Sequence, residues 1–189
     1  RLGVVLARVM LLICVRHAAV AVPKGVCYGR TDVPLAADFE QEAETIAQKL
    51  RTYAFDTSDA VYTSPLNRCT RLADFCGFPW AIRDSRLLEM DFGRWEMQPW
   101  QTIDDPVLKV WFDDWIHQPT AAGDSFMAML SRVGTFVDGL RDRAHRRVLL
   151  FTHGGVIACL NVLSGANEPQ NAFRSLPSCG SVVEIEIED

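Results

Sequence analysis

Four runs of apolar residues along the chain have the length of β-strands. Residues 10–15, 60–63 and 148–152 lack a strict alternation of apolar and polar positions, which is typical of strands buried on both faces of a sheet. Residues 181–187 instead alternate valine or isoleucine with glutamate, as a strand with one solvated face does. The pattern predicts a sheet with buried central strands and an exposed edge strand.

Two stretches between these runs carry apolar residues at helical spacing. The first stripe consists of Phe39, Ala43, Ile46, Ala47 and Leu50, and the second of Phe126, Leu130, Val133, Val137 and Leu140. A further helix is predicted to start at Ser64 and Pro65, with the serine as N-cap and the proline as the first helical residue. Because strands alternate with helices, we predict an α/β fold, a mostly parallel central sheet flanked by helices on both faces.

The chain is predicted to form a single domain over residues 10–189. Residues 1–9 are interpreted as an upstream extension, with Met10 as the native start. The apolar N-terminal run is short and is interrupted by Arg8, whereas a membrane span needs about 20 apolar residues. Within the domain, residues 94–122 are expected to form an inserted helical subdomain that could serve as a lid. This insert contains Trp95, Trp100, Trp111 and Trp115.

Composition and charge narrow the classes of function. Of the 189 residues, 49% are hydrophobic and 23% are charged, which excludes a disordered chain. The net charge is −5 and no basic stripe is present, so we expect a small-molecule ligand held by a few local cations rather than nucleic acid. The six cysteines form no Cys-x-x-Cys pair, so we expect free thiols and a cytoplasmic protein with no membrane partner. The oligomeric state stays open, a homodimer included.

Polar residues that follow the predicted strands are the candidates for chemistry, because ligands of open α/β sheets bind beyond the carboxyl ends of the strands. Arg16 and His17 follow the first run, and His153 follows the third. Arg68 lies a few residues beyond the second. If these strands are neighbours, two imidazoles and two guanidiniums meet at one edge of the sheet.

This set of groups fits phosphoryl transfer better than metal chemistry. Guanidiniums bind phosphate oxygens bidentately and stabilise a transferring phosphoryl group. A neutral imidazole can attack phosphorus, and nearby arginines lower the pKa of such a ring. The chain has no His-Glu-x-x-His motif and no cysteine pair, so no metal or other cofactor is expected. The alternative for Arg68 is a solvated side chain paired with a carboxylate.

Four segments resemble, in order, the motifs of the histidine phosphatase (phosphoglycerate mutase-like) superfamily. They are Val15-Arg16-His17-Ala18, Thr63-Ser64-Pro65-Leu66-x-Arg68, Leu88-Glu89-Met90-Asp91-Phe92-Gly93-x-Trp95-Glu96 and Thr152-His153-Gly154-Gly155. The resemblance implies the phosphoglycerate mutase-like fold and a phosphoric monoester hydrolase, with His17 as phosphoryl acceptor. It also implies a phosphate pocket made by Arg16, Arg68 and His153. Glu89 would be the proton donor to the leaving oxygen, the alternative being a surface carboxylate.

Two positions depart from the family pattern. Ala18 stands where the family commonly has glycine after the phosphoryl acceptor, and alanine would be strained there if the position needs a positive φ. Ala122-Gly123-Asp124-Ser125 stands where the family often has Gly-Gly-Glu-Ser. The shorter carboxylate of Asp124 puts a contact between this loop and the substrate in question.

The segment Cys27-Tyr28-Gly29-Arg30-Thr31-Asp32-Val33-Pro34-Leu35, with residues 88–93, resembles the α-ribazole phosphatase branch of the family. That branch removes the 5′-phosphate from α-ribazole phosphate or adenosylcobalamin phosphate in cobalamin synthesis. The substrate-binding candidates are Tyr28, Arg30, Thr31 and Gly154. The tryptophans of the insert could form an apolar wall for a benzimidazole, although the spacing of Trp111 and Trp115 is more typical of a core.

Two alternative functions remain from the sequence. One is a broad-specificity sugar-phosphate or nucleotide phosphatase that uses the same chemistry. The other belongs to a different class, a non-catalytic phosphoryl-binding protein on the same fold. Such a protein typically lacks the nucleophilic histidine or the acid, whereas His17 and Glu89 are both present.

Overall fold

The computed structural model describes residues 8–143 and 145–188, and its centre is a five-stranded sheet. The strands are β1 (Val9–Arg16), β2 (Ala60–Thr63), β3 (Ile82–Arg83), β4 (Arg147–Thr152) and β5 (Val182–Glu188). They lie in the order β3-β2-β4-β1-β5. Strands β1 to β4 are parallel, and β5 pairs antiparallel with β1 at the edge. The predicted, mostly parallel sheet with its alternating edge strand is confirmed.

Helices cover both faces of this sheet. They are α1 (Phe39–Arg51), α2 (Asn67–Phe75), α3 (Pro106–Asp113), α4 (Phe126–Asp142) and α5 (Gly154–Leu163). Helices α1 and α2 pack against Ile13 and Leu149 on one face, and α4 and α5 pack against Leu12 and Leu150 on the other. Successive residues of β1 and β4 therefore enter opposite cores, which is why these strands read as continuous apolar runs.

The start of α2 differs from the prediction. The helix begins at Asn67, with Leu66 in an extended conformation as its N-cap and no side-chain cap. The prediction of Ser64 as N-cap and of Pro65 as the first helical residue is therefore wrong. The hydroxyl of Ser64 lies 2.7 Å from Nε2 of His153 instead. The serine is fully buried, because it directly follows β2 and faces the neighbouring strand end rather than the helix.

The two ends of the described chain meet in the sheet. Val9 opens β1 and pairs with Glu188 of β5, while residues 1–7 of the predicted extension lie outside the described residues. No helix in the described ranges combines the length and the apolar character needed to cross a membrane. All six cysteines are free, as their spacing predicted.

The predicted insert is folded as one α-helix and short 3₁₀ turns. These are α3 and the turns Gly93–Trp95 and Trp100–Thr102. The rings of Trp95, Trp100 and Trp111 lie 5.6–6.3 Å apart, centre to centre. Trp115 instead packs against Phe126 and Phe173 in the core. The insert is thus joined to the main core by aromatic contacts, and its role as a lid stays a prediction.

Candidate active site

A cavity of about 390 Å³ opens at the carboxyl ends of β1, β2 and β4. The polar residues of its lining are Arg16, His17, Tyr28, Arg68 and Glu89, and Gly155 also lines it. The other lining residues are apolar and consist of Val26, Met90, Phe92, Trp100, Trp111, Phe173 and Leu176. The cavity therefore combines charged groups with an apolar, partly aromatic surface.

His17 is the first residue after β1, and its amide N–H donates to the carbonyl of Thr152 at the end of β4. Its side chain is 2% exposed, and Nδ1 lies 2.8 Å from the carbonyl oxygen of Ala18. A carbonyl only accepts hydrogen bonds, so Nδ1 carries the proton and Nε2 carries the lone pair. Burial, together with the charges of Arg68 and Arg16, lowers the pKa of His17 to about 3. The ring is neutral and nucleophilic at neutral pH.

Ala18, the first departure from the family pattern, carries no strain. It is absent from the residues with positive φ, so a side chain is compatible with the backbone there. The second departure is different, because Ala122 has a φ of 64°. Alanine is disfavoured in this left-handed region, where the family often has glycine.

Arg68 is the second residue of α2 and is fully buried. Its guanidinium donates to the carbonyl oxygens of Thr31 at 2.9 Å and Gly29 at 2.5 Å, and it lies 5.5 Å from the ring centre of Tyr28. Arg16 donates through Nη1 to the carbonyl of Pro177 at 2.5 Å. In the described part of the chain neither guanidinium forms an ion pair, and the Nε of each is buried without a hydrogen-bond partner.

A buried guanidinium without a carboxylate, such as that of Arg68, is costly to a folded protein unless an anion reaches it. Arg68 and the half-buried Arg16 line the same cavity as His17. The alternative of a solvated Arg68 is therefore wrong. The arrangement is that of an anion site, with donors and positive charge in the lining of the cavity.

His153 caps the N-terminus of α5 and is fully buried. Its ring centre lies 5.3 Å from that of His17, with the two planes 60° apart. Besides Ser64, its Nε2 has Sγ of Cys69 at 3.6 Å. Burial, with the nearby charge of Arg68, lowers the pKa of His153 well below 6.5. The structure brings His153 next to His17, but His153 does not line the cavity.

Glu89 lines the cavity near the N-terminus of α5. One carboxylate oxygen accepts from the amide of Met90 at 2.9 Å and the other from the amide of Gly155 at 3.1 Å. A Cβ at Gly155 would lie 2.1 Å from Oε1 of Glu89, so only glycine leaves room for the carboxylate here. Glu89 is therefore a half-buried carboxylate held at the cavity, and the alternative of a surface carboxylate is not what the structure shows.

Tyr28 is the one member of the four substrate-binding candidates that lines the cavity. Arg30 donates to the carbonyl of Glu89 at 3.3 Å and pairs with Asp124 at 3.1 Å. The hydroxyl of Thr31 donates to the carboxylate of Glu96 at 2.6 Å. Arg30 and Thr31 thus bond to neighbouring residues, and they do not line the cavity as expected of substrate-binding residues.

Gly154, the fourth candidate, lies behind Arg16. A Cβ there would be 3.1 Å from Cζ of Arg16, which is closer than ordinary contact. Asp124 binds Arg30 and the amide of Asp91, at 3.2 Å for the amide. It does not line the cavity. Both residues therefore shape the site from outside.

Sequence reasoning missed three residues that organise the site. Ser64 was the first residue after β2, and the rule that pointed to His17 and His153 also points to it. Gly155 belongs to the motif of residues 152–155, but its contact with Glu89 depends on tertiary structure. Glu96 ends the motif of residues 88–96, and its contacts with residues 29–31 leave no local signal in the sequence.

Comparison with known proteins agrees with this geometry. The sequence model of the histidine phosphatase superfamily (branch 1) matches residues 12–189. The adenosylcobalamin/α-ribazole phosphatase of Escherichia coli K12 is 28% identical over 175 residues, which cover 85% of this chain and 82% of that protein.

Solved structures show the same fold. The α-ribazole phosphatase of Shigella flexneri superposes with a TM-score of 0.81 at 25% identity, covering 93% of this chain and 89% of that one. A phosphoglycerate mutase of Thermus thermophilus superposes with a TM-score of 0.72 at 30% identity, covering 93% and 92%. With its sequence matched over nearly the whole domain and its histidines and arginines gathered in one cavity, the chain belongs to the histidine phosphatase superfamily.

Proposed function

We propose that the protein hydrolyses phosphate monoesters through a phosphohistidine formed on His17. The observation that carries the proposal is the state of His17: neutral, with its Nε2 lone pair free, in a cavity lined by the guanidiniums of Arg16 and Arg68, which have no carboxylate partner among the described residues. A binding protein would need the cations, but it would not need an imidazole held as a nucleophile.

The first half-reaction forms the phosphoenzyme. Nε2 of His17 attacks phosphorus as the bond from phosphorus to the ester oxygen breaks, and Glu89 gives its proton to that oxygen. Arg16 and Arg68 bind the non-bridging oxygens and stabilise their charge in the transition state. Both arginines line the cavity in which the phosphate would bind.

The second half-reaction restores the enzyme. A water molecule attacks phosphorus, the bond between phosphorus and Nε2 of His17 breaks, and Glu89 takes a proton from the water. Inorganic phosphate is released and Glu89 is again protonated for the next ester. His153, expected in the phosphate pocket, is instead assigned a supporting role, because its neutral ring packs against that of His17.

The proposed substrate is α-ribazole 5′-phosphate, or the equivalent end of adenosylcobalamin 5′-phosphate. Support comes from the apolar part of the cavity lining, where Trp100 and Trp111 are stacked with their planes 13° apart. A planar benzimidazole fits such a surface. The relatives in Escherichia coli and Shigella flexneri carry the name of this activity.

The reaction is proposed to need no metal ion, because Arg16 and Arg68 supply the positive charge at the phosphate. A cytoplasmic location is proposed from the six free thiols, which fit a reducing compartment. The ligand is a small phosphate ester, and the net charge of −5 argues against nucleic acid as a partner.

The test is release of phosphate from α-ribazole 5′-phosphate beside sugar phosphates and nucleotides, for wild type and His17→Ala. Preference for α-ribazole 5′-phosphate, with turnover abolished in the variant, is the expected result. Equal activity on every ester would keep the chemistry and remove the substrate assignment. Full activity of His17→Ala would refute the phosphohistidine.

A further inference from the structure

The carboxylate of Glu96 lies outside the cavity, at the end of the Gly93–Trp95 turn, and is bound almost entirely by backbone amides. It accepts from the amides of Gly29 at 3.0 Å, Arg30 at 3.0 Å and Thr31 at 3.1 Å. The amide of Phe92 at 3.1 Å and the hydroxyl of Thr31 at 2.6 Å complete the set. In the described ranges no arginine or lysine pairs with it.

These bonds hold Glu96 in its charged form. Burial raises the pKa of Glu96, but the hydrogen bonds from Thr31 and from the backbone amides outweigh this effect, so its pKa lies below the ordinary value. Successive amides that converge on one carboxylate form a rigid anion nest. The backbone of residues 29–31 is therefore held in place by the carboxylate of Glu96.

The same segment presents its carbonyls to the phosphate site. The carbonyls of Gly29 and Thr31 accept hydrogen bonds from the two terminal nitrogens of Arg68. Only glycine fits at position 29, because a Cβ there would meet the carbonyl oxygen of Met90 at 1.9 Å. Amides bound by Glu96 and carbonyls bound by Arg68 thus belong to the same three residues.

We infer that Glu96 is a positioning residue for phosphate binding: it orders residues 29–31 so that their carbonyls aim Arg68 into the cavity. The inference rests on the proposed function, because it assigns Arg68 to the phosphate. Glu96 touches no substrate and takes no part in proton transfer. Without this carboxylate, the three amides lose their acceptor and Arg68 loses the fixed carbonyls that orient it.

The substitution that tests this is Glu96→Gln, which keeps the shape but replaces one acceptor oxygen with a donor. The readout is the Kd of inorganic phosphate, measured by titration calorimetry on the full chain without turnover. We expect Glu96→Gln to weaken phosphate binding about tenfold. In a double-mutant cycle, Glu96→Gln should have almost no further effect on phosphate binding when Arg68 is already replaced by alanine, because Glu96 acts through that guanidinium.

Asp59→Asn is the matched control. Asp59 is also a carboxylate with hydrogen bonds to a backbone amide and a lowered pKa, owing first to its bond with Arg147. Its partners lie at the start of β2 and β4, at the opposite end of the sheet from the cavity. Asp59→Asn should lower the melting temperature and leave the Kd of phosphate unchanged.

A wild-type Kd for Glu96→Gln, or an equal loss in the presence and absence of Arg68, would overturn the inference. Thr31→Val provides a second variant if Glu96→Gln does not fold: it removes the 2.6 Å hydroxyl bond, and a smaller loss of phosphate affinity in the same direction is expected. If wild type binds phosphate but hydrolyses no ester, the proposed function fails while the binding cycle still decides the role of Glu96.

Discussion

The contact between Gly155 and Glu89 gives a substitution that should remove the acid without unfolding the protein. A Cβ at Gly155 would lie 2.1 Å from Oε1 of Glu89 and 2.9 Å from Cε of Met129. Both atoms are at the free ends of flexible side chains, so Gly155→Ala can be accommodated by moving them. The carboxylate would leave the position in which it meets the leaving oxygen.

The magnitude follows from the role of a general acid, which contributes about 10²–10⁴-fold to a reaction rate. For an alkyl phosphate such as α-ribazole 5′-phosphate, we expect Gly155→Ala to lower kcat/KM by about 100-fold or more, about 2.7 kcal/mol in the barrier. The loss should be much smaller for formation of the phosphoenzyme from 4-nitrophenyl phosphate. Its leaving group is a far weaker base than an alkoxide and needs little protonation.

The assay is a rapid-quench measurement of phosphoenzyme formation with both esters, for wild type, Gly155→Ala and Gly134→Ala. Gly134 lies within α4, where a Cβ would only reach Cδ2 of Leu163 at 3.8 Å. Gly134→Ala should therefore keep its activity and gain about 0.5–1 kcal/mol in unfolding free energy. Gly155→Ala should lose no further activity when combined with Glu89→Gln, since both remove the same acid.

Equal losses with the alkyl and the nitrophenyl ester would contradict the role of Glu89 as the acid, because they would place the defect in phosphate binding and not in protonation of the leaving group. Unchanged activity of Gly155→Ala would show that Glu89 does not act from the observed position. A lower melting temperature of Gly155→Ala would not explain a difference between the two esters, since both are measured on the same variant.

Three further outcomes are expected. His17 has a pKa of about 3 in the folded protein, mainly through burial, against about 6.5 when unfolded. The unfolded chain therefore binds one more proton in this window, and stability is lost as the pH falls from 6.5 towards 3. Urea unfolding should show a dependence about 1.4 kcal/mol per pH unit steeper for wild type than for His17→Gln; equal slopes would contradict the assigned state of His17. Ala122→Gly should raise the unfolding free energy by about 0.5–1 kcal/mol, because relief of left-handed strain exceeds the entropy cost of glycine; a decrease in the urea midpoint would be inconsistent with that strain. Dialysis against EDTA should leave phosphate release unchanged, and activity restored only by added metal would contradict the metal-free scheme.

The strands and the main site residues could be predicted because their signals are local. Apolar runs without alternation marked β1 and β4, whose alternate residues enter two different cores. The residues just beyond the strands, His17 and His153, followed from the rule that ligands bind at carboxyl ends. These predictions needed only the order of residues and the geometry of a parallel sheet.

The direction in which a side chain points and the residues that it contacts could not be predicted in the same way. Arg30 had the charge expected of a phosphate ligand, yet its guanidinium turns to Asp124, a residue 94 positions away along the chain. Ser64 had the sequence of an N-cap, yet its hydroxyl meets His153 on a neighbouring strand end. Both outcomes depend on which side chains the fold places opposite each other, and the local sequence around each residue does not indicate these long-range contacts.

The proposed function requires that the phosphoryl group passes through His17. This can be tested by mixing the protein with α-ribazole 5′-phosphate carrying ¹⁸O in its phosphate group, quenching in alkali, which preserves phosphohistidine, and mapping the label by mass spectrometry. We expect label on the peptide containing His17, formed before phosphate release and absent from His17→Ala. Phosphate release at the wild-type rate with no label on His17, or with label on another residue, would contradict it.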